Sequence, residues 1–136
     1  PKGWESDLLS AIEPMKDRVK IIGEVDEATK HIWYEAASVF CFPSLMEGFG
    51  LPIAEAMSHG TPVVTSSTTA TSEVAGDAAL LIDPKSADVI AESIKEILNN
   101  PELAEELSKK GLDRAKKMTW ENTALVTAGI YREMVK

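Results

Sequence analysis

The sequence predicts an α/β fold built on a doubly wound parallel sheet, with helices on both faces. Short runs of apolar and β-branched residues alternate with longer stretches whose apolar residues recur at helical spacing. One short run, residues 39–42, is almost wholly apolar, as is typical of a strand covered on both faces. The chain has 136 residues, 44% of them apolar, which is enough to build one domain of ordinary size.

The first half of the chain is predicted to contain two helices around a strand. Residues 18–22 form the strand, and a helix over residues 7–15, capped by Ser6, precedes it. A second helix follows over residues 29–37, and four of its residues are predicted to face the core. These are Ile32, Trp33, Ala36 and Ala37.

The second half repeats the strand–helix unit. Further strands are predicted at residues 62–65 and 79–82, each after a helix, as in βαβ units. Between these two strands, Ser72 and Glu73 are predicted to cap and open a single helical turn that ends at Gly76.

Three helices complete the chain, and each is predicted to begin at a residue type that caps helix N-termini. Ser86 caps a helix over residues 87–99, Asn100 caps the next one, and Thr119 caps the last. The last helix is predicted to bury one face, because apolar residues recur there about every four positions. That face consists of Trp120, Ala124, Ala128, Tyr131 and Val135.

The charge balance and the cysteine content argue against several classes of protein. The chain carries 14 basic and 22 acidic residues, a net charge of −8, which argues against non-specific nucleic-acid binding and against a polybasic membrane surface. The single cysteine, Cys41, excludes an internal disulfide and suits a reducing compartment. No apolar run approaches the roughly 20 residues that a membrane-spanning helix needs.

The most informative stretch is residues 44–57, which follows the apolar strand and runs through a glycine loop into a short helix. Gly48 and Gly50 have no Cβ, so a ligand can approach the backbone closely there. Pro52 suits the first helical turn, where a missing N–H costs nothing. Strand, glycine loop and helix N-terminus form an arrangement that holds phosphate, because the helix end presents unpaired N–H groups.

Two carboxylates frame this loop, Glu47 within it and Glu55 about one turn into the helix. A carboxylate repels phosphate, whereas hydroxyl groups can donate to it in pairs. The spacing therefore indicates a nucleotide or nucleotide-sugar ligand, although the residues alone equally allow two solvated glutamates. Residues 23–28 and 66–72 also leave the carboxyl ends of predicted strands, so the three loops could form one site, although residues 66–72 equally fit a linker or a loop without ligand contact.

Four segments occur in this order: Phe42-Pro43-Ser44, Glu47-Gly48-Phe49-Gly50-Leu51-Pro52, Glu55-Ala56-Met57 and Gly60-Thr61-Pro62-Val63-Val64. With Gly23-Glu24-Val25 upstream and Thr119-Trp120-Glu121 downstream, the pattern resembles the signature of the group 1 (family 4) retaining glycosyltransferases. In that family, two glutamates lie eight positions apart, as Glu47 and Glu55 do here. The resemblance covers nearly the whole chain.

The resemblance implies a GT-B glycosyltransferase, in which two Rossmann-like domains flank a cleft and the C-terminal one holds the nucleotide-diphosphate-sugar donor. Such enzymes transfer a hexose to an acceptor with retention of anomeric configuration, in glycan biosynthesis. By that likeness, Glu47 is the catalytic-site carboxylate that faces the donor sugar, Glu55 binds the ribose hydroxyls and Val25 touches the base. The other expected donor-binding residues are Gly48, Phe49, Gly50 and Leu51, the last three through backbone N–H groups.

The chain departs from the family pattern at its beginning. The family's donor domain opens with a strand ending in Gly-Arg, a lysine and a second strand, and this sequence shows no such segment. Residues 1–136 are therefore expected to form a partial C-terminal donor-binding domain, with a C-terminal helix at 118–136, that lacks the first strands of the domain. By the same comparison, the N-terminal acceptor domain is expected to lie outside these residues. That domain or another chain would complete the sheet, and the chain alone is expected to lack transferase activity.

The resemblance also sets expectations about ligands and location. No cofactor and no metal are expected, because the family is metal-independent and the chain has no clustered metal-binding motif. The expected partners are the donor and a saccharide, lipid or small-molecule acceptor. The expected location is cytoplasmic, or peripheral at the inner membrane face in the full-length enzyme. Two alternative functions are a nucleotide-sugar epimerase of the same architecture and a non-catalytic nucleotide-binding or interaction module.

Overall fold

The structure, a computed structural model, describes residues 3–135. They fall into two compact units, one up to Lys30 and the other from His31 onward. In chain order the elements are α1 (Gly3–Ile12), a 3-10 turn (Glu13–Met15), α2 (Glu27–Ala36), β1 (Phe40–Phe42), α3 (Leu51–Ser58), β2 (Val63–Ser66), α4 (Thr69–Ala75), β3 (Ala79–Ile82), α5 (Ala87–Asn99), α6 (Pro101–Ala115) and α7 (Trp120–Met134).

The sheet of the second unit is parallel throughout, with three strands in the order β1-β2-β3. Phe40 pairs with Val63, and Val63 pairs with Ala79 on the other side, so β2 is the central strand. Each crossover contains one helix, α3 or α4, because parallel neighbours cannot be joined by a tight turn. The α/β fold and the strands predicted at residues 39–42, 62–65 and 79–82 are thereby confirmed, within one or two residues at their ends.

Helices cover both faces of this sheet, as the sequence predicts. Val63 faces a core that contains Ile53 and Met57 of α3, whereas its neighbour Val64 faces a second core with Ile97 of α5. Successive strand residues point to opposite faces, so one strand serves both cores. Complete burial of each large apolar side chain in these cores stabilises the fold by about 1.5–3 kcal/mol.

The three predicted caps of the last helices are confirmed. The side chains of Ser86, Asn100 and Thr119 each accept a hydrogen bond from a backbone N–H in the first turn of the helix that follows. The distances are 3.4, 3.1 and 3.1 Å, respectively. These caps were predictable because they depend only on residues three positions apart.

The prediction of a strand at residues 18–22 is wrong. This segment forms no strand, and the side chain of Ile21 is 62% exposed. A strand needs a neighbour to accept its ladder of hydrogen bonds, and among the described residues no strand pairs with this one. The first helix also begins earlier than predicted, at Gly3, so Ser6 lies inside α1 rather than capping it.

Two predicted buried faces are exposed. In α2 the buried residue is Tyr34, which is 8% exposed, while Ile32 and Trp33 face solvent. In α7 no described residue is buried, and Trp120 is 86% exposed. Helical periodicity identifies an apolar stripe, but burial also requires a surface to pack against, and among the described residues none covers these stripes.

The helix between β2 and β3 is longer than predicted. It begins at Thr69, so Ser72 and Glu73 lie within α4 rather than at its start. Its end is predicted correctly, because Gly76 follows the last residue with a φ of 55° that disfavours any side chain.

Candidate functional site

The loop that follows β1 is anchored to β2 by two side-chain hydrogen bonds. Thr65 Oγ1 donates to the carbonyl oxygen of Phe42 at 2.8 Å, and Ser66 Oγ donates to that of Ser44 at 2.5 Å. Both hydroxyls belong to buried residues, where a hydrogen-bonded polar group strongly favours one geometry. The start of the glycine loop is therefore held rigidly at the carboxyl edge of the sheet.

The glycine loop ends at Gly50, which has a φ of 95° and precedes the first residue of α3. A Cβ on Gly50 would lie 3.2 Å from Ile53 Cδ1, so both conformation and space favour glycine here. Gly48 is different, because a Cβ there would meet no atom within 4 Å. The backbone at Gly48 is thus open to an approaching ligand.

The first turn of α3 leaves a short row of backbone donors. Pro52 has no N–H, and the N–H of Ile53 donates to the carbonyl oxygen of Gly50 at 3.0 Å. Within residues 3–135, no hydrogen bond engages the N–H groups of Phe49, Gly50 or Leu51. These are the three donors that the resemblance assigns to the sugar and diphosphate, and they lie at the positive end of a helix dipole.

Glu47 is half-buried and has a defined orientation. Ser44 Oγ lies 2.9 Å from Glu47 Oε1 and 3.2 Å from the carbonyl oxygen of Met46, and can donate to either. A carboxylate that accepts from a neighbouring hydroxyl is held in fewer rotamers than a solvated one. The loop thus presents Glu47 as a positioned acceptor rather than as a mobile surface charge.

Glu55 lies in the second turn of α3 and contacts α2. Its Oε2 accepts a hydrogen bond from the hydroxyl of Tyr34 at 3.0 Å, in a partly buried setting. The sequence signature identifies Glu55 as a site residue, whereas Tyr34 lies outside that signature. No local signal could have paired them, because they are 21 positions apart.

The serine- and threonine-rich loop after β2 leads into a strained residue at the start of α4. Thr69 has a φ of 57°, which is an outlier for a β-branched side chain. The buried Thr71 hydroxyl lies 2.9 Å from the carbonyl oxygen of Ser66 and 2.5 Å from that of Thr68, and closes the loop. Backbone strain of this kind is concentrated at functional sites in proteins.

An open cleft of about 470 Å³ lies at the carboxyl edge of the sheet. It is lined by Leu45 after β1, by Ser67 and Thr68 after β2, and by the segment after β3. This is the edge where parallel α/β sheets bind ligands. The sequence left the role of the loop after β2 open and did not predict a contribution from the segment after β3, which is Asp83, Pro84 and Lys85.

Val25, the predicted base contact, belongs to the first unit. It lies between the 3-10 turn and α2, and its side chain is 38% exposed. Its role stays a prediction.

Two histidines and one cysteine are the remaining candidates for metal or thiol chemistry among the described residues. His31 Nδ1 and His59 Nε2 lie 2.9 Å apart, but within residues 3–135 no group of three or more potential ligands could hold a metal ion. Burial raises the pKa of the Cys41 thiol, which disfavours the reactive thiolate. In the same range, no helix has both the length and the apolar character that crossing a bilayer requires.

Comparison with known proteins identifies the class that this fold and site define, the glycosyltransferases of the GT-B fold. The model of the family "Glycosyl transferases group 1" matches residues 5–114. The chain therefore belongs to the group 1 glycosyl transferases, as the signature around Glu47 and Glu55 predicts.

Curated relatives and solved structures agree with this assignment. The chain is 40% identical over 134 residues to O-antigen chain mannosyltransferase B of Escherichia coli, covering 96% of this chain and 35% of the relative. It is 31% identical over 148 residues to MMP alpha-(1->4)-mannosyltransferase of Mycolicibacterium hassiacum, covering 96% and 36%. The chain thus spans about a third of the length of these curated relatives.

Sucrose-phosphate synthase from Thermosynechococcus elongatus superposes with a TM-score of 0.82 at 33% identity, covering 96% of this chain and 33% of that protein. The C-terminal domain of a group 1 glycosyl transferase from Francisella tularensis superposes with a TM-score of 0.69 at 24% identity, covering 85% of this chain and 62% of that domain. The second likeness concerns the fold alone. Both neighbours have the Rossmann-like α/β architecture expected from the sequence.

Proposed function

We propose that this chain supplies the donor-binding part of a retaining glycosyltransferase that uses a nucleotide-diphosphate hexose. The observation that carries the proposal is the row of unengaged N–H groups at Phe49, Gly50 and Leu51, flanked by two oriented carboxylates. Family membership favours glycosyl transfer over the two alternatives, an epimerase and a non-catalytic module.

The diphosphate of the donor would lie against this row of N–H groups. Transfer breaks the bond between the anomeric carbon and a diphosphate oxygen, so negative charge grows on the leaving group. Preorganised backbone donors and the N-terminus of α3 stabilise that charge without reorganising during the reaction. The open backbone at Gly48 lets the ligand come within hydrogen-bonding distance.

The two carboxylates would take the hydroxyl groups at the two ends of the donor. Glu55 accepts from the ribose hydroxyls, and the contact of Val25 with the base stays a prediction from the resemblance. Glu47, held by Ser44, accepts from the hydroxyls of the donor sugar and orients its anomeric carbon. The acceptor hydroxyl then forms the new glycosidic bond with retention, and its proton passes to the departing diphosphate. No step in this scheme assigns a role to a metal ion.

The names of the relatives suggest the first sugar to test. Two of them are mannosyltransferases, so a mannosyl donor is the leading candidate. The acceptor would be a saccharide, lipid or small molecule. It would be bound largely by a partner domain, since the chain spans about a third of these relatives.

The test is a calorimetric titration of the folded chain with UDP, GDP and ADP, repeated with Glu55→Ala. One nucleotide is expected to bind, and the substitution is expected to weaken it by about 1.5–3 kcal/mol, the contribution of a hydrogen bond to a charged group. Glu92→Ala, an exposed glutamate of α5, is the matched control and should leave binding unchanged. If Glu55→Ala leaves the affinity unchanged, Glu55 is not part of the binding site.

A further inference from the structure

We propose that Tyr34 is a positioning residue that orients the Glu55 carboxylate and thereby sets a preference for ribonucleotides over 2′-deoxyribonucleotides. The inference rests on the proposed function, because it assigns Glu55 to the ribose. Its direct observation is the hydrogen bond of 3.0 Å from the Tyr34 hydroxyl to Glu55 Oε2.

The position of Tyr34 is determined from several directions at once. Its backbone carbonyl accepts a hydrogen bond from the buried Thr61 hydroxyl at 2.6 Å. Its ring meets that of Phe40 edge-on, with centroids 5.2 Å apart, and stacks on that of His59 at 6.0 Å. Because packing fixes the Tyr34 side chain, its hydroxyl keeps one position, and the more flexible Glu55 carboxylate adjusts to it.

A fixed hydrogen-bond donor matters for the Glu55 carboxylate because glutamate has three rotatable side-chain bonds. A hydroxyl donating to an ionised oxygen forms one of the stronger hydrogen bonds in proteins. With Oε2 held by Tyr34, the position of that oxygen is set before ligand binds, and the carboxylate samples fewer orientations. A group oriented in advance loses less conformational freedom when the ribose hydroxyls arrive.

The same contact also has a purely structural explanation, since a buried tyrosine hydroxyl requires a partner. The two explanations differ in what they predict for ligand choice. A structural role alone would weaken all nucleotides equally when the hydroxyl is removed. A positioning role would weaken ribonucleotides more than their 2′-deoxy forms, because sites that bind a hydroxyl discriminate against its absence.

The test measures the affinity of the full chain for UDP, GDP and ADP and for their 2′-deoxy forms by calorimetry. The proteins are the native chain, Tyr34→Phe, Glu55→Gln and the double variant. Tyr131→Phe, which removes an exposed hydroxyl on α7, is the matched control. Because the ratio of the two affinities is taken on one preparation, partial unfolding of a variant does not change it.

We expect the native chain and Tyr131→Phe to prefer the ribonucleotide. Tyr34→Phe should reduce that preference by about three- to tenfold, the effect of one net hydrogen bond. Glu55→Gln should reduce it at least as much, and adding Tyr34→Phe to Glu55→Gln should change it no further.

Two outcomes overturn the proposal, and they are distinguishable. In the first outcome, Glu55→Gln removes the preference, while Tyr34→Phe either retains it or weakens the binding of both nucleotide forms equally. Tyr34 then does not act through Glu55, and the proposed function stands. If no nucleotide binds the native chain, or if the preference survives Glu55→Gln, the assignment of Glu55 to ribose is wrong, and this inference fails with it.

Discussion

Gly76 lies directly against the guanidinium group of Arg114, so closely that a Cβ on the glycine would be 2.6 Å from Arg114 Cζ. Arg114 Nε donates to the carbonyl oxygen of Val74 at 2.5 Å, and Nη2 donates to that of Glu73. A cation at the end of α4 satisfies carbonyl groups that the helix itself leaves unpaired. The end of α6 is thereby tied to the helix that follows the threonine-rich loop.

Gly76→Ala is expected to lower the free energy of unfolding by about 2–4 kcal/mol. The methyl group would sit at a positive φ and would displace the Arg114 side chain. The measurement is chemical unfolding followed by circular dichroism. Gly129→Ala is the control, because that glycine lies within α7 with open space around it, and alanine there should be neutral or stabilising by up to about 1 kcal/mol. Equal effects of the two changes would contradict the packing described here.

Substitutions of Glu47 and Glu55 are expected to affect the binding of different ligands. Glu47→Ala should weaken GDP-mannose by about ten- to a hundredfold and leave GDP unchanged, because Glu47 is assigned to the sugar. Glu55→Ala should weaken both. Ser44→Ala, which removes the donor 2.9 Å from Glu47 Oε1, should weaken GDP-mannose less than Glu47→Ala does.

Calorimetry with both ligands on each variant checks this. If another nucleotide proves to be the one that binds, its mannose conjugate replaces GDP-mannose. If Glu47→Ala lowered the affinity for GDP as much as the affinity for GDP-mannose, Glu47 would contact the nucleotide and not the sugar.

Thr71→Val is expected to destabilise the fold by about 1–2 kcal/mol. The side chain is fully buried, and its hydroxyl lies within hydrogen-bonding distance of the carbonyl oxygens of Ser66 and Thr68, a contact that valine cannot make. Thr127→Val, on the exposed surface of α7, is the control and should change stability by less than about 0.5 kcal/mol. Unfolding curves compare the two variants, and a neutral Thr71→Val would show that water replaces the lost donor.

The start of α2 is expected to be acid-sensitive. The Thr29 backbone N–H, 2.7 Å from Asp26 Oδ1, holds the pKa of Asp26 below its ordinary value of 3.8. Since the folded pKa is lowered, this cap stabilises the helix above pH 3.8, and the contribution is lost as the pH falls through the folded value. The Thr29 amide resonance should therefore titrate below pH 3.8. In Asp26→Asn, whose side-chain oxygen accepts at every pH, it should not.

Much of this architecture could be predicted because it depends on near neighbours. The caps at Ser86, Asn100 and Thr119 and the glycine loop before α3 follow from residues a few positions apart. The wrong predictions share a different cause. The strand at residues 18–22 and the buried face of α7 required partners elsewhere, and a pattern in one segment carries no information about what lies beside it.

The sequence by itself determined the α/β class, the parallel strands, the helix starts near the C-terminus and the family signature around Glu47 and Glu55. Those features arise from residue chemistry and short-range periodicity, which act before any tertiary contact forms. Only the tertiary structure decided that Tyr34 meets Glu55, that Arg114 closes the end of α4 and that the loops after three strands line one cleft. Those contacts join residues far apart in the chain, and they form only when packing of the two cores brings the elements together.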